Sequence, residues 1–194
     1  MTQFLGGSPL ISDFEWTLDR YHGAIANGTF TPEDKLELLN GKLIKKLSIN
    51  PPHAACVTKV TKFFTRLYFD VFELRAENPV TFLDNSEPEP DFAVWDLSAD
   101  EYNEHHPTPE QVHLLVEVAD KSLTRDRTHK ASIYAFAGIK EYWIVNLKQE
   151  QVELHLEPDV NDGSYGSIVR YKIGSVYTSP FIGEVKVNDL LPGR

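Results

Sequence analysis

A single cysteine, Cys56, stands among the 194 residues, so no internal disulfide can form. Its helix-patterned surroundings make it a small core residue rather than a nucleophile. Long apolar runs are also missing: none approaches the roughly 20 residues of a membrane span. The opening stretch MTQFLGGSPLISDFEW has neither the basic start nor the apolar centre of a secretory signal. A cytoplasmic protein is expected. Positive charge is scarce, with 19 Lys and Arg against 29 Asp and Glu, and a net charge of −10 argues against a generic nucleic-acid coat. Internal repeats and low-complexity segments are absent too.

What is present suits a globular chain. Hydrophobic residues make up 41% of it, enough for a sizeable core, and the length predicts one domain over 1–194. The scarce positive charge is unevenly spread. Residues 42–66 carry six basic residues and no acidic one, and 121–130 carry four basic residues against Asp126 alone. A positive surface on an acidic molecule can arise there. Lys59, Lys62 and Arg66 read equally well as the solvated face of a helix.

Periodicity orders the elements. Residues 13–26 predict a helix ended by Asn27-Gly28, and two short apolar runs flank Asn40-Gly41, a strong hairpin signal. Pro51-Pro52 is read as a break, followed by a helix over 53–70 in which Ala54, Val57, Val60, Phe64 and Leu67 keep a helical spacing. Strand-like pieces follow at 71–76 and 79–82, then an acidic, proline-marked loop and a strand at 91–96. VHLLVEVAD, 112–120, is the candidate central strand; a helix over 126–137 closes at Gly138. EYWIVNL predicts another buried strand and QVELHLEP a strand with one wet face, while SIVRYKI and KVNDLL read as edge strands. This order implies an α/β fold, a mixed central sheet flanked by helices, with an N-terminal helix and hairpin.

Four charges sit where apolar residues are expected. Glu117 interrupts the central strand, where an ionised carboxylate costs several kcal/mol unless something positive meets it. Lys130 shares the inward stripe of the next helix with Ile133, Tyr134 and Ala137. A short strand-to-helix connection can bring the two together. Asp91 opens a strand, and Glu37 interrupts Leu36, Leu38 and Leu39. Convergence of Glu37, Asp91 and Glu117 would raise some of their pKa values or demand a divalent cation, and such hard oxygens suit Mg²⁺ or Mn²⁺. A plainer reading exists for each. Glu117 with Lys130 can be a structural ion pair, Asp91 a turn residue after Pro90, Glu37 a solvent-facing hairpin acid, and His53 a helix-start residue. Glu87, Glu89, Asp96 and Asp120 are expected at the surface.

The blocks LELLNGKLIKKLSINPPHAACVTKVTKFF, EPDFAV and LLVEVADKSLTRDRTHKASIYAFAGIKEYWIV resemble the Uma-two family of restriction-endonuclease-like proteins, within the PD-(D/E)XK nuclease superfamily. The resemblance runs over 36–156 and implies a restriction-endonuclease-like core. It matches Asp91 to the first acidic position, Glu117 to the second, and Glu37 to the glutamate before the hairpin turn. The superfamily's lysine two residues after the second acid is replaced by Ala119. The resemblance implies that this lysine has moved to Lys130, the position that the helical stripe also singles out. Asp126 is expected to hold Lys130 by i, i+4 pairing.

The expected function is therefore a Mg²⁺- or Mn²⁺-dependent endonuclease acting on DNA. Glu37, Asp91 and Glu117 would hold metal, and Lys130 would orient the attacking water. Lys45, Lys46, His53, Lys121, Arg125 and Arg127 are the candidate nucleic-acid contacts. A homodimer would suit double-strand cutting, and no membrane partner is expected. The competing reading is an inactive module of the same fold that binds nucleic acid or a protein partner.

Overall fold

The computed structural model describes residues 13–82 and 85–193. The opening stretch read above for a secretory signal lies mostly outside these residues, as does Asp84 at the head of the acidic loop. Helix α1 (Leu18–Ala26) starts at Thr17, whose hydroxyl accepts from the Arg20 N–H, and so begins later than the spacing suggested. Strands β1 (Leu36–Leu39) and β2 (Lys42–Lys45) form the expected antiparallel hairpin. Its turn places Asn40 at φ 47° and Gly41 at φ 70°, the left-handed pair that a two-residue loop requires.

Pro51 and Pro52 do not break the chain; they open helix α2 (Pro51–Tyr68). The first helical positions need no N–H partner, so prolines fit there. The Asn50 side chain caps the helix by accepting the His53 N–H at 3.1 Å. Val57, Val60 and Phe64 form its buried stripe.

Six strands build the main sheet: β3 (Glu73–Arg75), β4 (Phe92–Trp95), β5 (Val112–Ala119), β6 (Glu141–Asn146), β7 (Gln151–Asp159) and β8 (Ser164–Lys172), in that spatial order. Only β5 and β6 pair in parallel, so the sheet is mixed, as expected. Their crossover is helical, running through α3 (Leu123–Arg125), a π turn (Asp126–Lys130) and α4 (Ala131–Phe136). Strands β9 (Val176–Ser179) and β10 (Gly183–Lys186) form a separate hairpin before the short helix α5 (Val187–Leu190).

Further expectations fail locally. QVELHLEP has no wet face over 151–155, where residues on both sides of the strand, Glu153 and His155 included, are buried. KVNDLL is not an edge strand, because its Val187–Leu190 part is helical; Val187 and Leu190, three apart, are both buried. Residues 79–82 form no strand, and only Phe82 bridges Ser86. Among the described residues no helix is long and apolar enough to cross a membrane.

The sheet has two covered faces. On one, α2 and α5 pack Val60, Phe64 and Leu190 against Val94, Leu114, Val116, Val118 and Trp143. On the other, Leu39, Phe82, Ile133 and Tyr134 cover Ala93, Trp95, Leu115 and Ile144. Strand alternation assigns Glu117 to this second face, between Leu115 and Ala119. Asp91 immediately precedes β4, at the strand end where it meets His53 of α2.

The hairpin turn carries a checkable consequence. A Cβ at Gly41 would sit 2.9 Å from the Glu15 Cβ, at a φ that alanine avoids. Gly41→Ala is expected to lower stability by about 1–2 kcal/mol in urea unfolding, and a neutral effect would contradict the turn geometry.

Candidate functional site

Four chain segments meet on the second face of the sheet, around one ammonium group. Lys130 is 2% exposed. Its Nζ donates to Glu117 Oε1 at 2.8 Å and to the Glu89 carbonyl oxygen at 3.1 Å, and lies 3.3 Å from Glu37 Oε2. Burial works against the charge of Lys130. The carboxylates of Glu117, Glu37, Asp126 and Asp91 outweigh it and raise the lysine pKa above its usual value. Burial also lifts the Glu117 carboxyl, and Lys130 pulls against that lift. Tyr134, one helical turn after Lys130, donates to the same Glu117 oxygen at 2.7 Å.

Glu37 is held from two sides. Arg125 Nη1 lies 3.4 Å from its Oε1, and Lys130 faces its Oε2, which also accepts the Glu89 N–H at 3.4 Å. The hairpin acid is therefore 1% exposed rather than solvent-facing. Its oxygens point at two cations, which suits a residue that positions them.

Asp91 lies at the mouth of the site. Phe92 pairs with Val116 in the antiparallel register of β4 and β5, so Asp91 falls opposite Glu117. Its Oδ2 accepts the Val118 N–H at 2.6 Å and contacts His53 Nε2 at 3.2 Å. The capped start of α2 thus delivers His53 to the acid. Burial disfavours the imidazolium, but the hydrogen bond and charge of Asp91 prevail, and the His53 pKa rises.

Asp126 departs from its expected role. The helix widens into a π turn between Asp126 and Lys130, with the Ala131 N–H donating back five residues to the Asp126 carbonyl. The i, i+4 pairing with Lys130 is therefore not made. The Asp126 carboxylate is fully buried, and neither oxygen has a hydrogen bond. Burial pushes its pKa up to about 6, with Lys130 opposing the rise.

A cleft with about 680 Å³ of empty space opens on this group, lined by Glu37, Asp91, Glu117 and Lys130 together with His53, Lys46, Lys121 and Arg125. Of the candidate nucleic-acid contacts, Lys45 is exposed on β2 and does not line the cleft. Arg127 is turned away and pairs with the buried Glu153, its Nε 2.9 Å from Oε2. Three of the acids expected at the surface are placed differently. Glu87 is 5% exposed and bonded to His22 and Thr81. Glu89 and Asp120 line the cleft, the first paired with Lys46 and the second bonded to Asn50. Cys56 is buried against the Leu190 carbonyl, and burial pushes its thiol up to about 12, so it is not a nucleophile.

Two participants carried no clear signal in the sequence, and a third, Asp126, was legible only as a partner for Lys130. Tyr134 was visible on the inward stripe, but a tyrosine there serves the core equally well. The Glu89 backbone, which bonds both Lys130 and Glu37, has no side-chain signature at all. For Asp126 the spacing gave no sign that its carboxylate is buried without a hydrogen bond.

Comparison with known proteins bears on these residues. A family model described as "Uma2: Putative restriction endonuclease" matches residues 18–180. Among solved structures, the chain is similar to a crystal structure described as "a putative nuclease belonging to DUF820 from Anabaena variabilis ATCC 29413", with a TM-score of 0.66 and 17% identity. That match covers 90% of this chain and 96% of the other, and at this identity it is a likeness of fold. No curated protein matches the chain.

Two stability outcomes follow from the geometry. Lys130→Met leaves Glu117 buried without its cation and should destabilise by about 3 kcal/mol, while Glu117→Gln with Lys130→Met should recover most of that loss in urea unfolding. Additive losses would contradict the pairing. Asp126 has a folded pKa of about 6 against 3.8 for the free group, so the native state holds a proton that the unfolded chain has released. Stability from this group is present below pH 3.8 and is lost as pH rises through about 6. Asp126→Asn should therefore be more stable than the parent above that pH, by up to about 3 kcal/mol, with the gap closing in acid. Parallel stability curves from pH 3.8 to about 6 would contradict it.

Proposed function

Because the chain belongs to the Uma2 family of restriction-endonuclease-like proteins, whose model spans most of its length, we propose that it is a divalent-metal-dependent nuclease that hydrolyses phosphodiester bonds in DNA. The observation that carries this reading is the buried Lys130 ammonium beside the Asp91–Glu117 pair, at the bottom of a cleft with basic residues at its rim.

The donor set fits a hard divalent cation. Asp91 Oδ1 and Glu117 Oε2 make no hydrogen bond among the described residues, which leaves one free oxygen on each carboxylate. Charge points the same way. The carboxylates of Glu37, Asp91, Glu117 and Asp126 act on Lys130, and Arg125 is the second cation within reach of them. Negative charge is in excess. Among the described residues no group of three or more His, Cys, Asp or Glu is arranged to hold a metal. Two carboxylates with water and substrate phosphate suit Mg²⁺ or Mn²⁺, which keep several waters. Asp91 and Glu117 are thus the proposed ligands, and Glu37 serves to position Lys130 and Arg125. A cation bound there would supply Lewis-acid activation of the phosphodiester and of water.

The chain's own residues do the rest. Lys46, Lys121 and Arg125 attract and orient the phosphates. Lys130 stays charged, so it donates to the attacking water and stabilises charge developing at phosphorus. Tyr134 and Lys130 hold one Glu117 oxygen, which turns the other toward the cleft. His53 does the same for Asp91. Water adds to phosphorus, one P–O ester bond breaks, and the leaving oxygen takes up a proton.

Cleavage of plasmid DNA with Mg²⁺ or Mn²⁺ tests the reading. Asp91→Asn and Lys130→Ala should each lower the rate by at least about 100-fold. Asp91→Asn keeps the shape of a partly exposed side chain, so its loss cannot be ascribed to unfolding. Undiminished cleavage by both variants would overturn the assignment.

A further inference from the structure

Beside the cleft lies a groove with about 1050 Å³ of empty space, between the β1–β2 hairpin and the α3 crossover. Its floor is apolar, formed by Ile44 and by Leu47, which is 50% exposed. Its rim carries Lys42, Lys121 and Arg125, with the polar His129 beside them. Among the described residues no acidic one lines it, on a chain whose net charge is −10. The ammonium groups of Lys42 and Lys121 have no ion pair or hydrogen bond among the described residues. Leu47, Lys121 and Arg125 line the cleft as well, so the groove runs directly into it.

We propose that this groove takes an unpaired strand of nucleic acid and feeds it to the cleft, so that the preferred substrate carries a single-stranded arm next to the scissile bond. The inference rests on the nuclease reading above, because the continuity of the groove with the cleft selects a nucleic acid over an acidic peptide. Charge complementarity alone would admit either. The apolar floor then discriminates between nucleic acids. A duplex keeps its bases stacked inside and turns phosphates outward, which would set charge against Ile44 and Leu47. An unpaired strand can lay its base faces on those side chains while its phosphates reach Lys42 and Lys121.

Binding is measured by fluorescence anisotropy in Ca²⁺, using a DNA duplex and the same duplex with an unpaired arm, each also competed with polyglutamate. The armed duplex is expected to bind about tenfold more tightly, the order that covering one exposed aliphatic side chain contributes. Leu47→Asp, at an exposed position that should not impair folding, is expected to erase the preference. Lys42→Glu should reduce it and flatten the salt dependence. Equal affinity for the two DNAs, a preference that survives Leu47→Asp, or displacement of the arm by polyglutamate as effectively as by an oligonucleotide would overturn the proposal. Retained preference without cleavage of either DNA would count against the hydrolytic reading alone. Cleavage without preference would count against the groove alone.

Discussion

A lysine ammonium removed from water governs the architecture of this site. Lys130 is almost fully buried, and a charge in that position must be met by opposing oxygens or be lost. The oxygens come from three distant parts of the chain: Glu117 on the central strand, Glu37 on the hairpin, and the carbonyl of Glu89 between two prolines. Meeting this one requirement fixes the hairpin to the sheet and the crossover helix to both. The same requirement explains why Glu117 tolerates the interior of β5, which is covered on both faces.

Charge in the site does not balance, and the imbalance links structure to chemistry. Two full cations, Lys130 and Arg125, are shared among Glu117, Glu37 and Asp126, and Asp91 has only His53 beside it. The Asp126 carboxylate oxygens lack a hydrogen bond, and the group is pushed toward the protonated form, a burden on stability. Asp91 instead stays at the mouth of the cleft, steadied by His53 and the Val118 N–H. A site with surplus carboxylate, a fixed ammonium and a basic rim is suited to a divalent cation and a phosphodiester together.

Much of this was legible in the sequence because burial leaves contradictions there. Glu117 within an apolar run, and Lys130 on an apolar stripe, each announced an interior charge, and their partnership followed from the short connection between them. The Asn40-Gly41 turn announced the hairpin. Other features left no such trace. Pro51-Pro52 reads as a break until the Asn50 cap is known, since the same dipeptide ends one helix or starts another. A π turn is rare and leaves no mark in the spacing, so the expected Asp126–Lys130 pairing could not be rejected from it. The pairing of Arg127, read as a nucleic-acid contact, with Glu153 left no trace either, because Glu153 lies on a strand that follows it by more than twenty residues. Backbone participation, as at Glu89, is invisible to side-chain patterns by its nature.

The central claim is that Lys130 holds Glu117 so that Glu117 and Asp91 can share one cation. A crystal structure grown with Mn²⁺ tests it most directly, through anomalous density. An ion is expected between Asp91 and Glu117, with the Lys130 ammonium still bonded to Glu117 and the Glu37 carboxylate still facing Lys130 and Arg125. Density centred on Glu37 with Lys130 displaced, or no density near Asp91 at saturating Mn²⁺, would contradict it.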